Sequence, residues 1–181
     1  MSAREEILAA LGADSVPSEV PAPAFAPMSF ADPVAAFREA LTAAGGEAVE
    51  ATDLSAEAIA GRFSFEGRIV DTREGGVPAK ISPERTGVAI VEATLGVAEN
   101  GAVWIDPKER YPRELLTLAQ HVAVTLPKEA IVATMHEAYE RIDLSDVSYA
   151  LFMAGPSKTA DIEQALVIGA HGAIGMKVFL Y

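Results

Sequence analysis

Two runs in this chain, Val103-Trp104-Ile105 and Tyr149-Ala150-Leu151-Phe152-Met153, are apolar at every position. A strand with one wet face alternates apolar and polar residues, whereas a strand covered on both faces does not. Covering both faces takes layers above and below, which excludes a simple two-sided hairpin protein. Other short stretches repeat the theme: Arg68 to Asp71, Val88 to Val91, Gly96 to Ala98, His121 to Thr125 and Met176 to Tyr181 read as strands, and the Trp104 run extends from Ala102 to Asp106. Helical spacing fills the intervals Asp53 to Phe63, Lys128 to Ile142 and Thr159 to Ile168. Strands separated by helices of this length predict an α/β domain, an open layered sandwich around a mainly parallel sheet. With 181 residues, the chain fits one such domain with an appendage.

The appendage is legible at the start. Ile7, Leu8 and Leu11 fall at helical spacing, with Glu5 and Glu6 in the first turn where the helix dipole favours acids. Pro17, Pro21, Pro23, Pro27 and Pro33 then deny the chain regular hydrogen bonds. We therefore divide the sequence into a helical arm (1–12), a proline-rich linker (13–33) and the α/β domain (34–181), whose first helix opens at Asp32-Pro33 and stops at Gly45-Gly46.

Charge and composition exclude several roles. A net charge of −12 repels polyanions, so nucleic acid is a poor partner. The chain has no cysteine and so offers no disulfide, thiolate metal site or iron–sulfur ligand of its own. The opening MSAREEILAALGA is charged where a signal peptide is apolar, and no apolar run approaches the ~18 residues of a membrane span, which reads as cytoplasmic.

Three segments carry candidate chemistry. In GPSKTADIE, Gly155 and Pro156 turn the chain, Ser157 and Thr159 offer hydroxyls and Lys158 offers a cation. At a helix start these groups and the free N–H donors suit an anion; equally, Ser157 or Thr159 is a plain cap, with Asp161 and Glu163 complementing the dipole. In Ala98-Glu99-Asn100-Gly101-Ala102, Asn-Gly between apolar runs predicts a hairpin, and Glu99 is either part of that turn or a nucleophile or base beside the opening at Gly101. In Gly169-Ala170-His171-Gly172-Ala173, small neighbours leave the imidazole accessible, as a loop residue or as an acid–base group. His121 reads as structural, and His136-Glu137-Ala138-Tyr139-Glu140 lacks the second histidine of a zinc helix. Ala98 and Ala154 close two strands, so the three segments are expected at one edge around a shared pocket, with Gly172 beside His171 and Asp161 orienting the imidazole.

The order Gly155-Pro-Ser, Thr159-Ala-Asp-Ile-Glu163 and Gly169-Ala-His-Gly172 closely resembles the C-terminal signature of the lactate utilization protein C family (LutC/YkgG, the LUD domain). Arg4-Glu5-Glu6-Ile7-Leu8 with the proline-rich stretch looks like that family's opening, and Leu115 to Val124 like its segment ending in His-Val. The resemblance implies a fold similar to the NagB/RpiA/CoA transferase-like group. It also implies a non-redox component of L-lactate oxidation to pyruvate, with a small carboxylate as ligand, no cofactor on this chain alone, and iron–sulfur clusters on partner proteins. One departure stands out: where the family usually shows Ala-Glu-Thr-Gly-Thr, this chain has Ala98-Glu99-Asn100-Gly101-Ala102. The variant looks like the Glu-Asn-Gly of class I coenzyme A transferases, whose glutamate forms a thioester, and an acyl or coenzyme A transferase using Glu99 is the alternative.

Overall fold

The computed structural model describes residues 2–11, 28–73, 86–107, 111–145, 147–160, 166–169 and 171–181. In chain order these form α1 (Ala3–Leu11), α2 (Pro33–Ala43), β1 (Glu47–Glu50), α3 (Ala56–Ala60), β2 (Arg68–Asp71), β3 (Thr86–Glu92), β4 (Leu95–Val97) and β5 (Ala102–Ile105). There follow α4 (Leu115–Leu118), β6 (His121–Leu126), a 3-10 turn (Lys128–Ala130), β7 (Ile131–Val132), α5 (Met135–Arg141), β8 (Leu151–Met153), β9 (Lys158–Ala160), β10 (Leu166–Ile168) and β11 (Gly175–Leu180).

The central sheet has the order β1-β11-β6-β3-β2, and all its pairings are parallel. Successive residues of a strand face opposite ways, and β3 shows the result. Val88 and Ile90 enter one core with Ile59 of α3, Val49 and Phe179, while Ala89 and Val91 enter a larger core with Phe37 and Leu41 of α2 and Leu115 and Leu116 of α4. All four β3 residues are fully buried. Each Val or Ile side chain so buried contributes about 1.5 to 3 kcal/mol of transfer free energy.

A second, four-stranded sheet, β7-β4-β5-β8, lies over the larger core. Val103 and Ile105 point into that core, and Trp104 points the other way, against Leu95, Val97, Phe152 and Ala138 of α5. The apolar run around Trp104 is thus covered on both faces as expected, but not in a parallel setting, because β5 runs antiparallel to both β4 and β8. The Asn100-Gly101 hairpin is present between β4 and β5.

Several helix boundaries follow their sequence signals. Asp32 caps α2 by accepting the Ala35 N–H at 3.0 Å, with Pro33 in the first turn. Gly45, at φ 88°, ends it by donating to the Thr42 carbonyl while Gly46 donates to that of Leu41. Ser55 caps α3. Two predicted helices are corrected. Within 128–142 the helix begins only at Met135, because Ile131 and Val132 pair with β4 as a strand and Thr134 restarts the chain as a cap. Across 159–168 the described ends are strands instead, with Lys158 opposite Ile168, Thr159 opposite Val167 and Ala160 opposite Leu166. Among the described residues no helix is long and apolar enough to cross a membrane.

Candidate functional site

The antiparallel course of β5 decides where the predicted residues meet. β4 and β8 both run against it, so both end at the edge that carries the β4–β5 turn. Ala98 and Ala154 therefore reach one edge, though in the smaller mixed sheet. Two glycines fix that edge onto the end of α2. A Cβ at Gly101, φ 69°, would lie 2.3 Å from the Leu41 nitrogen, and one at Gly155, φ 73°, 2.3 Å from the Ala44 carbonyl oxygen. Only glycine tolerates that backbone and that approach.

Glu99 is exposed on this turn, and its Oε2 accepts the Met135 N–H at 2.8 Å. Thr134 accepts the Glu137 N–H and Glu137 accepts the Ala133 N–H, so three side-chain acceptors collect the free donors at the start of α5. The carboxylate picked out as a nucleophile is thus a hydrogen-bond anchor between the hairpin and α5. Asn100 folds back to accept the Ala102 N–H at 3.0 Å, stiffening the same turn.

Within GPSKTADIE, Lys158–Ala160 is a strand and not the start of a helix, which removes the expected set of free helical N–H donors there and the cap assigned to Ser157 or Thr159. The Ser157 N–H donates to the Ala173 carbonyl and its carbonyl accepts from Gly169, both at 2.9 Å. These bonds strap the 171–173 loop to Ser157, and a Cβ at Gly172 would meet the Ser157 Cβ at 2.8 Å. His171 is exposed on this loop. Lys158 is exposed too, and its ammonium lies over Gly45 at the C-terminal end of α2, where the helix dipole favours a cation. Asp161 and Glu163 lie outside the described residues. The edge therefore joins Gly155, Ser157, Lys158, Gly172 and His171 in one ledge next to Gly101, while the Glu99 carboxylate turns toward α5.

His121 keeps its structural reading. Its Nε2 is 3.1 Å from the Ser64 carbonyl oxygen and its ring packs 5.1 Å from that of Phe63. His136 is exposed on α5. Among the described residues no group of three or more His, Asp or Glu side chains is placed to hold a metal ion.

A feature missed in the sequence lies at the opposite end of the four-stranded sheet, where β4, β7 and β8 begin and β5 ends. A cleft of about 860 Å³ opens there, walled by Trp104, Leu95 and Ile142 and fringed by Asp106, Arg141 and Asp143. Its residues come from four separate stretches, so no local spacing announces it.

Comparison with known proteins gives a consistent answer. The LUD domain family model matches residues 79–181. Curated relatives named lactate utilization protein C include those of Oceanobacillus iheyensis, 27% identical over 103 residues (54% of this chain, 44% of the relative), and Geobacillus thermodenitrificans, 33% over 95 residues (49% and 40%). The Bacillus subtilis relative is 30% identical over 97 residues (50% and 40%). The matched part thus spans less than half the length of these relatives. In structure, the chain is similar to a DUF162 family protein from Deinococcus radiodurans, with a TM-score of 0.61 and 17% identity, covering 85% of this chain and 99% of that one.

Proposed function

The chain belongs to the LUD domain family, and from that premise we propose that it serves lactate utilization as a component without redox chemistry of its own. The observation that carries this reading is the family match over 79–181, which includes the Gly155 to Gly172 signature, together with relatives named for lactate utilization. The absence of cysteine fits a division of labour in which iron–sulfur clusters sit on partner proteins and this chain holds or positions a small acid.

The ledge at Ser157, Lys158 and His171 suits a small carboxylate such as lactate or pyruvate. It offers a hydroxyl, an ammonium and an imidazole, all at least partly open to solvent, and a compact monoanion needs only two or three such groups. The acyl-transfer alternative requires the Glu99 carboxylate as nucleophile, and one of its oxygens is already committed to the Met135 N–H. Asp161 remains the proposed orienter of His171.

Deleting the gene and scoring growth on L-lactate tests the role, with complementation by the parent and by Lys158→Gln and His171→Ala. Loss of growth rescued by the parent alone is the expected outcome, and unimpaired growth of the deletion strain sinks the proposal. Affinity purification of the intact protein from lactate-grown cells should bring down iron–sulfur proteins. Trapping a glutamyl adduct with acyl-coenzyme A by mass spectrometry would instead favour the transferase reading.

A further inference from the structure

The cleft at the far end of the four-stranded sheet is independent of the ledge and of the lactate role. Its walls combine an indole and aliphatic side chains, from Trp104, Leu95, Ile142 and Val147, and its volume of about 860 Å³ falls within the range of small-molecule sites. Trp104 is held in place by Phe152, ring centroids 4.8 Å apart, so the indole face is a fixed wall.

The charges decide the ligand class. Arg141 ends α5, and among the described residues it makes no ion pair or hydrogen bond. Asp143, two residues on, accepts the Ser145 N–H through one oxygen at 2.9 Å, and that bond holds its carboxyl below the ordinary aspartate range, so it is anionic at neutral pH. Asp106 lines the β5 side and has a partner of its own, so it does not enter this balance. Among the described residues, Arg141 and Asp143 thus bring one cation and one carboxylate to the cleft. A simple organic anion would satisfy Arg141 but meet the Asp143 carboxylate, and a simple amine would leave the guanidinium unmatched. A ligand bearing both a carboxylate and an ammonium satisfies both, with its apolar body against the indole.

We propose that this cleft binds a zwitterionic α-amino acid with an apolar side chain, its carboxylate on Arg141 and its ammonium on Asp143.

Trp104 is the single tryptophan of the chain, so its emission reports on the cleft without labelling. Titration of the full chain compares three probes of one shape: L-leucine, 4-methylpentanoate, which lacks the ammonium, and 3-methylbutylamine, which lacks the carboxylate. Isothermal calorimetry runs alongside, in case binding leaves the emission unchanged. Leucine should bind saturably and at least ~10-fold tighter than either analogue, and Arg141→Gln and Asp143→Asn should each weaken it by about 10-fold. Asparagine keeps an acceptor for the Ser145 N–H, so the loop is preserved, and both altered side chains are exposed, so circular dichroism should match the parent. No leucine binding by either method, tighter binding of an analogue, or full affinity in both variants would overturn the proposal.

Discussion

Glu99 holds a structural post that a catalytic reading overlooks, and two substitutions separate the roles. Glu99→Gln keeps a carbonyl oxygen able to accept the Met135 N–H, whereas Glu99→Ala removes it. The alanine variant should lose about 0.5 to 2 kcal/mol in urea unfolding, as for other helix-start acceptors, and the glutamine variant much less. A glutamine variant of parental stability that fails to support growth on lactate would show a chemical use for the carboxylate beyond its anchoring. A second residue sets a pH dependence. Partial burial raises the Asp71 carboxyl, but hydrogen bonds at 2.9 and 2.6 Å and the charge of Arg73 more than offset that and hold it below the ordinary aspartate range. A lowered folded-state value means the pair stabilises above the unfolded value, and that contribution fades as pH falls through the folded one. Asp71→Asn should therefore lower the urea midpoint at pH 7, with the gap to the parent narrowing at about pH 3; a gap independent of pH would contradict the pairing. The Gly101 and Gly155 positions were readable as turns, but their contact with α2 was not, since a close approach involves a distant backbone.

At the scale of elements, four of the five parallel strands of the central sheet, β2, β3, β6 and β11, were legible because each is a short apolar run bounded by turn residues. The errors have physical causes. Ile131-Val132, both β-branched, joins β4 as two strand residues inside a segment otherwise rich in helix formers, and Thr134 with Glu137 three residues on marks where the helix truly starts. Glu47–Glu50 escaped notice because an edge strand with charged ends shows little pattern, yet it pairs with β11 along its whole length. Lys158–Ala160 and Leu166–Ile168 form a two-stranded sheet of their own, joined to neither larger sheet. Two strands alone are marginally stable. Hydrogen exchange should accordingly be slowest in β3, β6 and β11, which are flanked by strands on both sides, and orders of magnitude faster in β9 and β10. Equal protection of β9 and β10 and the central strands would refute this ordering.

At the scale of the molecule, the first helix stands apart. Its described side chains are exposed, and its side-chain hydrogen bonds run between Ser2 and Glu5. Removing residues 1–11 should change unfolding free energy by less than ~0.5 kcal/mol, as followed by thermal melting. Beginning the chain at Asp32 should cost more, because Phe30 packs against the main core, inside the stretch assigned to the linker. By itself the sequence determined the class of fold, four of the five parallel strands of the central sheet, the hairpin at Asn100-Gly101, the cap at Asp32, and a family signature at the C-terminus. These are local: hydrophobic period, turn chemistry and capping act within a few residues. Only the tertiary structure decided that 158–160 pairs as a strand, that Glu99 anchors α5, that the ledge forms against the end of α2, and that a charged cleft opens behind Trp104. Those outcomes depend on pairing and packing between segments tens of residues apart, where burial and backbone hydrogen bonding outweigh local preference.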